Sequence, residues 1–123
     1  MARCRSKSRT DRVGRCSELM FGAEAESRGC VACFPSGGAV PSIDVVLVTP
    51  SGRKLAVQVK GQSTKQFSTV DLGAKDHGAM DLLAVFNAAQ GGWFLIKAKV
   101  VANRRTITGR ECRRYPANWN LLK

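Results

Sequence analysis

Asp44 lies on one run of β-branched residues, and Gln58-Val59-Lys60 lies on the next, across the turn Pro50-Ser51-Gly52. A carboxylate, then an amide two residues ahead of a lysine, is a small set able to hold a hard divalent cation beside a basic group. Mg²⁺ takes a few oxygen ligands and keeps several waters. Asp44 offers a carboxylate oxygen, Gln58 its amide carbonyl, and the backbone carbonyl of Val59 a third. Mg²⁺, or Mn²⁺ in its place, would polarise a phosphodiester and acidify a bound water. Lys60 suits three tasks: orienting that water, offsetting charge that develops on the phosphate, or acting as base with a lowered pKa. The set supports metal-dependent cleavage of nucleic acid. The same residue types also occur on the solvated face of an ordinary strand.

Strand periodicity must position these groups. Side chains two apart in a strand leave the same face, so Gln58 and Lys60 travel together. Ile43, Val45 and Leu47 alternate with Asp44, while Leu55, Val57 and Val59 alternate with Gln58 and Lys60. If both apolar sets face one core, odd positions pair with odd ones and even with even. That register sets Asp44 opposite Gln58 or Lys60. It requires a turn of three or five residues, which Pro50-Ser51-Gly52 supplies.

The 123-residue chain is expected to form one domain, residues 10–123, behind a disordered basic arm over residues 1–9. Its net charge of +11 favours a polyanionic partner, above all nucleic acid. Arg3, Arg5, Lys7, Arg9, Arg12 and Arg15 crowd one end. Lys97, Lys99, Arg104, Arg105, Arg110, Arg113, Arg114 and Lys123 load the other, with Glu111 as the one opposing acid. Arg12, Arg15, Lys65, Arg104, Arg105, Arg113 and Arg114 are the expected DNA contacts, and their binding should weaken steeply with salt. No apolar run approaches the ~20 residues that a membrane span needs. The basic start lacks a following hydrophobic stretch, so a cytoplasmic protein with reduced thiols is expected.

The spacing predicts a helix from about Thr10 to Arg28, stopped at Gly29. Val13, Cys16, Met20, Ala23 and Ser27 form one stripe of it; Gly14, Glu18, Phe21 and Ala25 form another, which suggests packing on more than one side. Strands are expected over Cys30–Phe34, Ile43–Thr49, Leu55–Lys60, Met80–Phe86 and Trp93–Val101. Between Gly61 and Asp76 a long polar loop with a short irregular strand is expected. From Ala102 a basic tail follows, docked by Tyr115, Trp119, Leu121 and Leu122. The expected fold class is α+β, with the N-terminal helix packed on a mostly antiparallel mixed sheet.

From about Arg12 onward the chain resembles the PD-(D/E)XK nuclease superfamily. Arg12, Gly14, Arg15 and Glu18 are similar to the superfamily's first helix, whose glutamate points into the active site. Gly29 to Pro35 resembles the step into the first strand. The core follows with Ile43-Asp44 and Ala56-Val57-Gln58-Val59-Lys60. Met80 to Phe86 and Gly92 to Ile96 resemble the strands that complete a restriction-endonuclease-like sheet. Two positions depart from the pattern: Ile43 replaces the usual proline and Gln58 the usual acid. Gln-x-Lys variants occur in a cyanobacterial intron-encoded homing endonuclease group, the most similar one, and in Mrr-like restriction enzymes. The resemblance implies Asp44, Gln58, Lys60 and Glu18 as the catalytic set, with Glu18 offsetting the charge lost at Gln58 if it reaches the metal. It also implies a homo-oligomer, dimer or tetramer, since two sites are the simplest way to cut two strands.

Three activities remain open at this point. One is a homing-type endonuclease making site-specific double-strand cuts. Another is a Holliday-junction resolvase-like enzyme acting on branched DNA, and the third is a catalytically silent basic DNA-binding module. Other features rank lower. Cys30-x-x-Cys33 has zinc-ligand spacing but alternate strand faces. His77 sits in a polar loop, Asp81 reads as structural, and Trp93 and Trp119 read as packing. Ser63, Thr64, Lys65 and Gln66 follow the Gln-x-Lys strand closely enough to touch DNA.

Overall fold

The computed structural model describes residues 9–35, 43–62, 69–73, 79–90 and 92–123. Of the arm expected over residues 1–9, residues 1–8 lie outside the described residues, whereas Arg9 opens α1. Ser63–Gln66, Lys65 among them, and His77 also lie outside the described residues. Helix α1 (Arg9–Ser27) ends where the sequence predicts. Gly29 has φ +92, and the N–H groups of Gly29 and Cys30 close back on the carbonyls of Glu26 and Ala25. This is a Schellman termination, which needs the left-handed conformation that glycine adopts freely.

The five-stranded main sheet has the order β1-β2-β3-β5-β6. Its strands are β1 (Val31–Cys33), β2 (Val45–Val48), β3 (Lys54–Gln62), β5 (Leu82–Asn87) and β6 (Gly92–Lys97). Pairing is antiparallel throughout except between β3 and β5. A second, two-stranded antiparallel sheet joins β4 (Thr69–Asp71) to β7 (Thr106–Thr108). The molecule is α+β, with α1 on a mostly antiparallel mixed sheet, as expected.

The odd-with-odd register holds: Val45 pairs with Val57 and Leu47 with Leu55. Val45, Leu47, Val57 and Val59 point to the α1 side and form a core with Phe21 and Ala25. The other face of the sheet carries Leu83, Val85 and Ile96, which pack beneath Val70 and Ile107 of the small sheet. The main sheet is thus sandwiched between α1 and the small sheet.

Three expectations change. Helix α1 packs through one face only: Ser17, Phe21, Gly22 and Ala25 are buried, whereas Cys16, Met20, Ala23 and Ser27 of the second stripe are exposed. The side chain of Val13 lies outside the described residues. Contact is close at Gly22, where a Cβ would come within 2.6 Å of Phe34 Cζ. The strand expected over Trp93–Val101 stops at Lys97 and gives way to α2 (Ala98–Val101), whose Val101 is buried in the second core. The basic tail is not merely docked but contains β7, α3 (Gly109–Cys112) and a 3-10 turn over Trp119–Leu122.

Both edges of the main sheet are guarded. Glu26 Oε1 accepts the N–H of Ala32 on edge strand β1 at 3.0 Å. On β6, the Tyr115 carbonyl accepts the N–H of Leu95 at 3.1 Å. Occupied edge groups discourage stray strand pairing.

Candidate active site

Central strand β3 changes partner along its length. Its first half pairs with β2 through Val57, and its second half, Val57–Gln62, pairs with β5. Where β2 ends, Asp44 takes over. Its N–H donates to the Val57 carbonyl at 2.9 Å, and its Oδ2 accepts the Val59 N–H at 2.8 Å. The side chain therefore continues the ladder in place of a backbone carbonyl. The ladder of β2 on β3 stops at Val45–Val57, and these two bonds tie Asp44 to the residues on either side of Gln58. In a strand a residue's N–H and C=O point to the same side, so the Val59 carbonyl faces this same edge beside Asp44. The second oxygen of Asp44, Oδ1, has no hydrogen bond among the described residues.

Gln58 and Lys60 leave the sheet on the face away from α1, neighbouring Leu83 and Val85 in register. Gln58 is only 6% exposed, and its Oε1 is buried with no hydrogen-bond partner. Native proteins rarely leave such an acceptor unpaired, because it loses water and gains nothing. Lys60 is half-buried and has no ion pair among the described residues. The Asp44 carboxylate lies in the plane of the sheet beside Val59, and the orphaned Gln58 amide oxygen lies on the face away from α1. This donor set is all oxygen, the kind that Mg²⁺ or Mn²⁺ prefers. No group of three or more His, Cys, Asp or Glu forms among the described residues. A cation held here must therefore draw on amide and backbone oxygens.

Glu18 is not joined to this group. Its carboxylate accepts from Arg15 at 3.1 Å across one turn of α1, on the other side of the sheet from Gln58 and Lys60. Arg15 also lies 5.2 Å from the centre of the Phe34 ring. Gln62 is a residue that the sequence reading passed over. It continues the row Gln58, Lys60, and its Nε2 donates to the Thr69 carbonyl at 2.7 Å, tying β3 to β4. Its Oε1 is also buried and unpartnered. The period-two spacing could have found it, had the strand not been ended at Lys60.

The remaining candidates take other roles. Asp81 mirrors Asp44 on the opposite edge of β3: its Oδ2 accepts the Ala56 N–H at 2.8 Å. This is a structural contact. Cys30 is buried and donates to the Leu122 carbonyl, while Cys33 is exposed. Phe21 packs edge-on against Trp93 at 5.4 Å and lies 6.4 Å from Trp119. A cavity of about 630 Å³ opens beside Met20, Phe86, Trp93 and Trp119. It is lined by none of Asp44, Gln58 or Lys60, and its charged residues, Glu24 and Arg28, are already paired with each other. Reactive groups, not volume, place the candidate site at β3.

Arg12, Arg105, Arg113 and Arg114 are exposed. Arg104 instead forms a two-pronged ion pair with Glu111. That pairing pulls the Glu111 carboxyl down to about 2 and raises the Arg104 guanidinium further. No helix among the described residues is long and apolar enough to cross a membrane.

No family model matches the chain, and no curated protein matches it in sequence. Its fold is similar to the solved structure of a bacterial homing endonuclease, I-Ssp6803I. The TM-score is 0.66 and the sequence identity 22%, with 82% of this chain and 75% of that chain covered. At that identity the likeness is one of fold.

Proposed function

We propose that this chain is a metal-dependent DNA endonuclease of the PD-(D/E)XK type, with Gln58 in the place of the second acid. The observation that carries the reading is the buried, unpartnered Oε1 of Gln58, on one face with Lys60 and between the two β3 residues that bond Asp44. Asp44, Gln58 and the Val59 carbonyl would hold Mg²⁺ or Mn²⁺; Glu18, paired with Arg15 on the α1 side of the sheet, is left out of the set. When bound, the cation supplies Lewis acidity toward a phosphate oxygen and toward water.

The chain's own groups do the rest. The Val59 amide fixes the Asp44 carboxylate, so that ligand needs little reorganisation. Lys60, without a competing carboxylate among the described residues, directs its ammonium at the phosphate and the attacking water. The exposed arginines neutralise backbone phosphates and hold the duplex against the site. The fold shared with a bacterial homing endonuclease supports DNA cleavage, here read as site-specific and double-stranded; an oligomer acting in the cytoplasm completes the proposal. The test is cleavage of a randomised duplex library and of a synthetic four-way junction, in Mg²⁺ and in EDTA. Mg²⁺-dependent cuts at one duplex sequence support the proposal. Cuts confined to the junction would make the protein a resolvase. Tight, salt-sensitive binding without cleavage of either would make it a silent binding module.

A further inference from the structure

Strand β7 runs directly into α3 through a reciprocal cap. Thr108 Oγ1 accepts the Glu111 N–H at 3.1 Å, and Glu111 Oε1 accepts the Thr108 N–H at 3.3 Å. Arg104 closes the unit from the other side of β7, donating from Nη1 to Oε2 at 2.5 Å and from Nη2 to Oε1 at 2.6 Å. One carboxylate therefore ties Arg104, two residues before β7, to the first turn of α3. Ile107, Gly109 and Cys112 anchor the inner side of this unit in the second core. That core is shared with Leu83 and Val85, the register partners of Gln58 and Lys60. The unit thus stands on the face of the sheet from which Gln58 and Lys60 emerge. On its outer side, Arg105, Arg110 and Arg114 are exposed and have no ion pair among the described residues.

A guanidinium fork that already grips a carboxylate with both prongs has its charge balanced locally and its best donors committed. We propose that Arg104 is a positioning residue and not a phosphate ligand: through Glu111 it fixes α3, which presents Arg110 and Arg114 to the DNA backbone beside the Gln58–Lys60 face. This rests on the DNA-binding reading above and revises the expectation that Arg104 itself contacts DNA. Glu111, the lone acid of a basic segment, then promotes DNA binding although its charge opposes it.

The test measures affinity for a duplex against salt concentration in the intact protein. Replacing both Arg110 and Arg114 by Ala should lower the slope of log K on log salt by about 2. Glu111→Gln retains a capping-box residue and adds one unit of positive charge. It should nevertheless weaken binding about five-fold or more. In that background, removing Arg110 and Arg114 should change little further. Arg104→Lys keeps the charge but loses the fork, and should weaken binding likewise, which covers the case of a Glu111→Gln chain that does not fold. Tighter binding by Glu111→Gln, or wild-type binding by Arg104→Lys, would overturn the proposal. Absence of salt-dependent binding by the wild type would instead remove the DNA reading on which it rests.

Discussion

The Asp44 carboxylate accepts the Val59 N–H at 2.8 Å, standing where a backbone carbonyl of β2 would otherwise be. One side chain thus serves two ends: it completes the ladder of β3 and leaves a second oxygen for chemistry. These ends separate by substitution. Asp44→Asn keeps an acceptor for Val59 and should fold with near wild-type stability. Asp44→Ala leaves that N–H unpaired and should cost about 1–3 kcal/mol. Both should lower cleavage by at least about 10²-fold, the scale of losing a group that stabilises the transition state. Urea unfolding beside a cleavage assay checks the pair.

Gln58 invites the opposite comparison. Its buried, unpaired amide oxygen is a stability cost, and unlike Gln62, whose amide ties β3 to β4, Gln58 is the one of the two that stands two residues before Lys60. Gln58→Leu removes that oxygen at similar volume and should stabilise the fold by about 1 kcal/mol while abolishing cleavage. A less stable Gln58→Leu chain in chemical denaturation would mean that the amide is satisfied in solution.

The Glu111–Arg104 pair sets an acid limit on the fold. The Arg104 hydrogen bonds and then the Thr108 amide hold the Glu111 carboxyl at about 2, below its ordinary 4.5. A depressed carboxyl contributes its stability in full above the unfolded value, and loses it as pH falls through the folded value. The melting temperature of the wild type should therefore fall between about pH 4.5 and pH 2. The gap between wild type and Glu111→Gln should narrow over the same window in a melting series.

Cysteine reactivity should report burial. Burial, and next the Glu111 charge, push the Cys112 thiol up to about 11, and burial with nearby Glu26 raises that of Cys30. Cys16 and Cys33 are exposed. At about pH 8 the thiolate fraction of Cys112 is on the order of 10⁻³. Iodoacetamide should label Cys16 and Cys33 in the native protein, and Cys30 and Cys112 only after denaturation, as read by peptide mass mapping.

The geometry of the candidate site was legible because it follows from period-two alternation and one short turn. Val45, Leu47, Val57 and Val59 require a shared core face, which limits the turn around Pro50-Ser51-Gly52 to two odd-with-odd registers; the structure selects the one that pairs Val45 with Val57. Gly29 marked the end of α1 by its conformational freedom. The elements missed depend on partners distant in the chain. Strands β4 and β7 are three residues each, too short to show alternation, and exist because Val70 and Ile107 meet over the sheet. Lys97 to Val101 looked like a continuing strand because Val100 and Val101 are β-branched, yet burial of Val101 is met by a helical turn. Gln62 was lost because Gly61 looked like a strand end, whereas β3 runs on to Gln62 beside β5. The Thr108-x-x-Glu111 capping box was visible in the sequence, but a surrounding excess of arginine drew attention to charge instead.

The most direct test of the account is single-turnover cleavage of a DNA containing the selected target, by the wild type and by Lys60→Ala, with Mg²⁺ and with EDTA. Lys60→Ala should bind that DNA as tightly and melt at the same temperature, since Lys60 has no ion pair among the described residues. It should cut at least about 10²-fold more slowly, and EDTA should stop the wild type altogether. Cleavage by Lys60→Ala at the wild-type rate, or undiminished cleavage in EDTA, would contradict the assignment of β3 as the catalytic strand.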